Sequence, residues 1–339
     1  MPTISLCMIT KNEAALIEDC LLSVKGLVDE IIIVDTGSTD KTIEIARRFT
    51  DKIYEFRWID DFSAARNESL KNATGDWILV LDGDEVLPQE SKEKMRTAIA
   101  SGEYCAYFLP QVTFTKIYTK DPTFISNRIE IKGHSFEGYT VGDIIRLFQN
   151  KKEIKYDFFV HETVEPSLKH HNLKIGWLPA PFLHFHELKG DRKVHDKQQY
   201  YAQLSLQGIE KYPNYAKNYH DVSLYYYAYA KDQQKALEFA QNAVKLEPQS
   251  IEYRLTTSYR LRDLGRYEEA IKILEPLLKI VDDERVFLAI GFYHYKLLNY
   301  AVSLEMYQKA LGCNSPREEM IKSMIIQLKK LIEQSKDYN

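Results

Sequence analysis

The stretch WILVLDGDEVL, residues 77–87, runs from a block of apolar side chains straight into Asp82, Asp84 and Glu85. A short apolar run that stops at a turn reads as an interior strand. Carboxylates crowded at its end repel one another unless a positive charge joins them. Hard oxygen ligands one residue apart suit Mg²⁺ or Mn²⁺, and an ion held by one or two carboxylates completes its shell with substrate phosphates. The expected occupant of this strand end is therefore a divalent cation carrying a diphosphate.

The surrounding sequence places that strand in a sheet. Over residues 3–114 short apolar runs alternate with amphipathic segments. ISLCMI is followed by Asn12, expected to cap a helix, and by Ile17, Cys20, Leu21 and Val24 at helical spacing. EIIIVD, KIYEF and WILVL supply three more strands, with KTIEIARRF as a helix between the first two. Near-continuous apolar strands separated by helices predict a parallel sheet covered on both faces. In such a sheet ligands bind beyond the carboxyl ends of the strands. Here those ends carry Thr10, Lys11, Asn12 and Glu13, then Asp35, Thr36, Gly37 and Ser38, and finally Asp82 and Asp84. The chain has no G-x-G-x-x-G after the first strand, no G-x-x-x-x-G-K-[ST] and no G-x-S-x-G. Dinucleotide redox chemistry, P-loop phosphoryl transfer and serine hydrolysis thus lack their usual cradles.

Beyond residue 221 the pattern changes to almost unbroken helical periodicity. QQKALEFAQNAVKLEP, RYEEAIKILEPLLKI and NYAVSLEMYQKAL align with Ala236, Ala270 and Ser303 in register, 34 and 33 positions apart, the repeat length of tetratricopeptide helix pairs. Residues 115–220 read as strand-like runs (DIIRLF, KYDFFV, PFLHFH) joined by long polar loops, which in a compact chain are usually functional. With 339 residues, two domains are expected, and a formal charge of −4 argues against nucleic-acid binding. Cys7, Cys20, Cys105 and Cys313 form no C-x-x-C pair, which fits a reducing compartment without structural zinc. The first residues read as a strand, not a signal peptide, and no apolar run is long enough to span a membrane, so a cytoplasmic protein is expected.

MITKNEAALIEDCLLSV, IIIVDTGSTDKTIEIA, DDFSAARNESL and GDWILVLDGDEVL together resemble the nucleotide-sugar domain of glycosyltransferase family 2. The match is strong over about residues 3–90 and most similar to members with tetratricopeptide repeats after the catalytic domain. These include sublancin-type peptide S-glycosyltransferases and lipopolysaccharide-core glucosyltransferase-like proteins. The resemblance implies a GT-A fold, a Rossmann-like mixed or parallel sheet with flanking helices, followed by an all-α repeat domain. It divides the chain into a catalytic domain, residues 1–215, and repeats, residues 216–339. The catalytic domain comprises a nucleotide-sugar half, 1–114, and an acceptor half, 115–215. It also implies an inverting enzyme that uses Mn²⁺ or Mg²⁺ and a UDP-linked glucose or N-acetylglucosamine type donor.

Carried over residue by residue, the resemblance has Asp35 accept a hydrogen bond from the base, while Thr10, Asn12 and Glu13 line the nucleoside pocket. Asp61, Arg66 and Asn67 contact the nucleotide, Asp82 touches ribose or metal, and Asp84 ligates the metal. Gly83 stands where the family often has Ala. The general base of an inverting transfer must sit across the sugar from the metal; Glu162 is the first choice and His161 the second. In PFLHFHELKG, His184 matches the family's histidine and reaches the metal or pyrophosphate; His184 and His186 share a face if the segment is a strand. A repeat array presents a groove, which favours a peptide or protein acceptor or a homodimer. Transfer to a cell-envelope glycan or lipid-linked saccharide is the alternative, and a non-catalytic repeat scaffold the rival from another class.

Overall fold

A computed structural model describes residues 2–117, 124–131, 133–189, 194–313 and 317–336. The chain divides into two compact units, residues 1–197 and 198–339.

The first unit is built on one mixed sheet. Its strands are β1 (Ile4–Thr10), β2 (Glu30–Asp35), β3 (Ile53–Glu55), β4 (Trp77–Val80), β5 (Glu85–Val86), β6 (Ala106–Thr115), β7 (Ile125–Ile131), β8 (His134–Gln149), β9 (Ile175–Trp177) and β10 (Phe182–His184). The order is β3-β2-β1-β4-β8-β6-β10-β5, with β7 paired to β8 and β9 to β6. Strands β3, β2, β1 and β4 are parallel, as the apolar runs predict. Antiparallel β8 then inserts between β4 and β6. Helices α1 (Ile17–Ser23), α2 (Thr42–Ala46), α3 (Phe62–Lys71), α4 (Gln89–Ser101) and α5 (Glu165–His170) accompany the sheet.

Alternation along the central strands explains why they are apolar throughout. Leu6, Met8, Ile33 and Leu79 pack into one core with Ile17, Leu21 and Met95 of α1 and α4. Cys7, Ile32, Ile78 and Val80 pack into another with Phe148, Tyr156 and Leu168. Both faces exclude water, as a covered sheet requires. Because β2 and β4 lie on opposite sides of β1, the chain switches direction there, and the crevice beyond β1 and β4 is the expected ligand position.

Several local expectations change. Asn12 caps no helix: α1 starts at Ile17 behind Leu16, and Asn12 instead adopts a left-handed conformation. KYDFFV is not a strand but enters a loop closed by a single bridge between Asp157 and Thr163. Much of the region read as long loops is the β7–β8 hairpin, whose strands are less apolar because β7 is largely exposed. Residues 118–123 lie outside the described set. Strand β10 ends at His184, and His186 begins a 3-10 turn.

The second unit is helical: α6 (Val194–Lys211, mostly within it), α7 (Ala216–Tyr225), α8 (Gln233–Leu246), α9 (Ile251–Asp263), α10 (Tyr267–Leu274), α11 (Glu284–Lys296), α12 (Tyr300–Leu311) and α13 (Glu318–Lys336). The aligned positions Ala236, Ala270 and Ser303 are fully buried at equivalent places in α8, α10 and α12. Small side chains there let paired helices approach: Ser223 Oγ donates to the Ala236 carbonyl at 2.6 Å, and Ser303 Oγ to that of Gly291 at 2.8 Å. The turns repeat as well, since Lys231, Gly265 and Leu298 all have left-handed φ, of 57°, 74° and 63°. Spaced like the helices, they mark three tetratricopeptide-like pairs. Among the described residues no helix is long and apolar enough to cross a membrane.

Candidate active site

The ends of β1 and β2 form one pole of the crevice. Thr10 and Asp35 are buried; among the described residues the Thr10 hydroxyl has no hydrogen-bond partner, and the Thr10 carbonyl accepts from Thr36 N at 2.9 Å. Asp35 Oδ2 accepts from the backbone N–H groups of Gly37 and Ser38 at 3.1 and 3.0 Å, so its carboxylate shapes its own turn. Asn12 Oδ1 accepts from Thr39 N at 2.8 Å and ties the two strand ends together. Glu13 is buried beside Gly83: a Cβ on Gly83 would stand 2.9 Å from Glu13 Cβ and Cγ. Backbone contact this close explains glycine at that place. Asp61 accepts from Ala64 N at 3.0 Å as the N-cap of α3. Asn67 clamps Tyr156, donating to its carbonyl at 2.9 Å and accepting from its N–H at 2.8 Å.

The crowded acids after β4 have protein cations as partners. Asp82 Oδ1 accepts from Arg66 Nη2 and Asp82 Oδ2 from Arg146 Nη2, each at 2.8 Å. Arg146 Nη2 also donates to Glu85 Oε1 at 2.9 Å, and Arg66 Nε to Glu162 Oε1 at 2.7 Å. Gln111 Nε2 adds a bond to Glu85 at 2.8 Å. Burial alone opposes charge on Arg66, but Asp82 and Glu162 more than offset it and raise its pKa well above the ordinary value. Burial pushes the Glu85 carboxyl up, against the pull of Arg146. One guanidinium thus joins Glu162 to Asp82, where the sequence reading sets Glu162 apart from the diphosphate.

This cluster makes a stability prediction. Arg146→Met leaves fully buried Glu85 without its cation, and breaking a buried pair from one side costs about 3–5 kcal/mol. Glu85, already raised, should rise further in the variant. A raised carboxyl favours the folded state at low pH and loses that effect as pH rises through its folded-state pKa. The deficit should therefore shrink as the solution is acidified. Urea melts at several pH values check this; a deficit under about 1 kcal/mol at neutral pH would mean that Arg66 neutralises both acids alone.

Asp84 faces the other way. Its Oδ2 lies 3.2 Å from His184 Nε2, and Thr113 Oγ1 lies 3.1 Å from His184 Nδ1. Burial disfavours the imidazolium, but the hydrogen bond and charge of Asp84, with Glu85 and Asp82, raise its pKa above the usual histidine value. The His186 ring stands 5.2 Å from that of His184. Among the described residues no group of three or more His, Cys, Asp or Glu side chains is arranged to hold a metal. The 3.2 Å between Asp84 Oδ2 and His184 Nε2 is close to the spacing of adjacent ligands around a small divalent cation, so these two side chains would be the ones to hold it. Asp82, whose two oxygens both accept from guanidinium groups, lies outside that pair.

Glu162 and His161 sit on the loop between Asp157 and Thr163. Phe158 and His161 have φ of 79° and 54°. Non-glycine residues in this region cost about 1–3 kcal/mol each and cluster at functional sites. The loop turns Glu162 inward to Arg66 and leaves His161 exposed. Sequence reasoning missed Arg146, Gln111 and Thr113. Arg146 left a signal, a lone charge inside the apolar run DIIRLF, whereas Gln111 and Thr113 alternate in a strand without any.

Residues 5–158 match the sequence model of Glycosyl transferase family 2. Relatives include a TPR repeat-containing protein of Synechococcus elongatus, 36% identical over 197 residues, 57% of this chain and 44% of that protein. The SPbeta prophage-derived glycosyltransferase SunS of Bacillus subtilis is 30% identical over 179 residues, 52% and 38% of the two chains. This chain therefore spans less than half the length of these curated relatives. The crystal structure of S. aureus TarS 1-349 in complex with UDP-GlcNAc aligns with a TM-score of 0.42 at 15% identity, over 95% of this chain and 92% of that one. The motifs that carry this similarity lie at the strand ends of the sheet, so residues 5–158, somewhat under half of the chain, are similar to the domain of glycosyltransferase family 2.

Proposed function

We propose that this chain is an inverting, metal-assisted glycosyltransferase that moves a glucose or N-acetylglucosamine type sugar from a UDP-linked donor to a peptide or protein acceptor. The observation that carries the reading is the Asp84–His184 pair, which joins the acidic turn after β4 to the end of β10. Its surroundings are acidic: Asp82, Glu85 and Glu162 lie in the same cluster, with Arg66 and Arg146 paired to them. Mn²⁺ or Mg²⁺ held by Asp84 and His184 would supply the positive charge that a departing diphosphate needs.

The protein's own groups divide the rest of the work. Asp35 accepts a hydrogen bond from the base, and Thr10, Asn12 and Glu13 wall the nucleoside. Arg66 acts by holding Asp82 and Glu162 in place, because its charge is shared between them. Glu162, or His161 one residue before it, takes the acceptor proton as the acceptor attacks the anomeric carbon opposite the leaving group. Stacked helix pairs of the second unit favour an extended polypeptide as acceptor.

Thermal unfolding with a panel of nucleotide sugars, with and without Mn²⁺, tests the donor reading. A ligand at 100 times its Kd stabilises the folded state by about 2.7 kcal/mol, a rise of several degrees in Tm. That rise should require a UDP-sugar and Mn²⁺ together. No stabilisation by any UDP-sugar would sink the donor assignment.

A further inference from the structure

Strand β6 carries a polar row that the reaction as described leaves unused. Gln111, Thr113 and Thr115, two residues apart and so on one face, each bond to a different group around the site. Gln111 holds Glu85 at 2.8 Å, and Thr115 Oγ1 donates to Glu187 Oε1 at 2.7 Å. Between them, Thr113 Oγ1 lies 3.1 Å from His184 Nδ1. The contact is enforced by backbone register: β6 and β10 are parallel, with Thr113 and His184 direct partners. On its other side β10 pairs with β5, His184 opposite Glu85, and Phe185 N donates to the Asp84 carbonyl at 3.0 Å. The imidazole is thus held at both nitrogens, by a hydroxyl at Nδ1 and a carboxylate at Nε2.

We propose that Thr113 is a positioning residue that fixes the orientation of His184 by accepting from Nδ1–H, so that Nε2 is presented beside Asp84 as the second protein ligand of the divalent ion. The inference rests on the metal reading above. A neutral imidazole carries one N–H, and the hydrogen bond at one nitrogen sets which nitrogen is left to coordinate. Partners of this kind typically change metal affinity by about 10- to 100-fold when removed. The threonine methyl has a second use, since it restricts χ1 and keeps the hydroxyl aimed.

The test compares wild type, Thr113→Val and Thr113→Ser. Val preserves shape and removes the hydroxyl; Ser keeps the hydroxyl. Mn²⁺ affinity in the presence of UDP, read by electron paramagnetic resonance of the free ion, should fall about 10- to 100-fold in Thr113→Val and return to within a few fold in Thr113→Ser. With Mg²⁺ and UDP bound, ¹⁵N shifts of the His184 ring should place the proton on Nδ1 in wild type and Thr113→Ser, and Thr113→Val should reach that signature only at about 10- to 100-fold more Mg²⁺. A purely structural role would lower Tm and leave the ring signature unchanged. Unaltered Mn²⁺ affinity in Thr113→Val overturns the inference, as does a metal-loaded wild-type ring protonated at Nε2. Wild-type protein that binds no Mn²⁺ in the presence of UDP overturns the metal reading itself, and the proposal with it.

Discussion

Replacing Asp84 with alanine is expected to lower turnover of a UDP-linked donor by roughly 10²- to 10³-fold or more, the scale on which removing a charge-stabilising group acts, while the protein stays folded. The side chain is almost fully buried, yet the contact that joins its segment to β10 is made by its backbone carbonyl with Phe185 N and survives the change. What disappears is the carboxylate facing His184. Two further readouts follow from the same atoms. Mn²⁺ should bind more weakly, because one of the two proposed protein ligands is gone. The pKa of His184 should fall, because burial then acts against the imidazolium without the Asp84 bond and charge that raise it in the wild type. Near wild-type kcat in Asp84→Ala would end the metal mechanism, whatever the binding data show.

The second large effect belongs to Glu162. If it removes the acceptor proton, Glu162→Gln should lower transfer to a hydroxyl acceptor by roughly 10²- to 10⁴-fold. The glutamine carbonyl can still accept from Arg66 Nε, so the loop should keep its shape and donor affinity should change little despite the link through Arg66 to Asp82. His161→Ala on the same acceptor provides the contrast, since His161 is an exposed residue of the same loop. Loss of turnover in the histidine variant alone would make the imidazole the base. Loss of donor binding in both variants would assign the loop to the nucleotide pocket. A thiol acceptor ionises far more readily than an alcohol, so a mild defect measured with one does not decide the matter.

Local chemistry made a good part of this legible. Continuous apolar strands with polar ends, read in order, placed Thr10, Asp35, Asp82 and Asp84 at one edge of a sheet, because strand polarity and burial are written in neighbouring residues. The helical repeat was legible for the same reason, since a buried small residue and a left-handed turn recur once per pair. Partner choice was not. The cation beside Asp82 comes from Arg146, 64 residues away, and from Arg66; Glu162 meets Arg66 across 96 residues, and His184 meets Asp84 across 100. These contacts exist because antiparallel β8 inserts beside β4 and because β10 joins β6 to β5. Periodicity says that a strand is buried but does not name its neighbour; register across the sheet does, and it arises only when distant segments pack. Sequence alone therefore placed these polar residues at the strand ends, and tertiary structure decided which of their charges pair with one another.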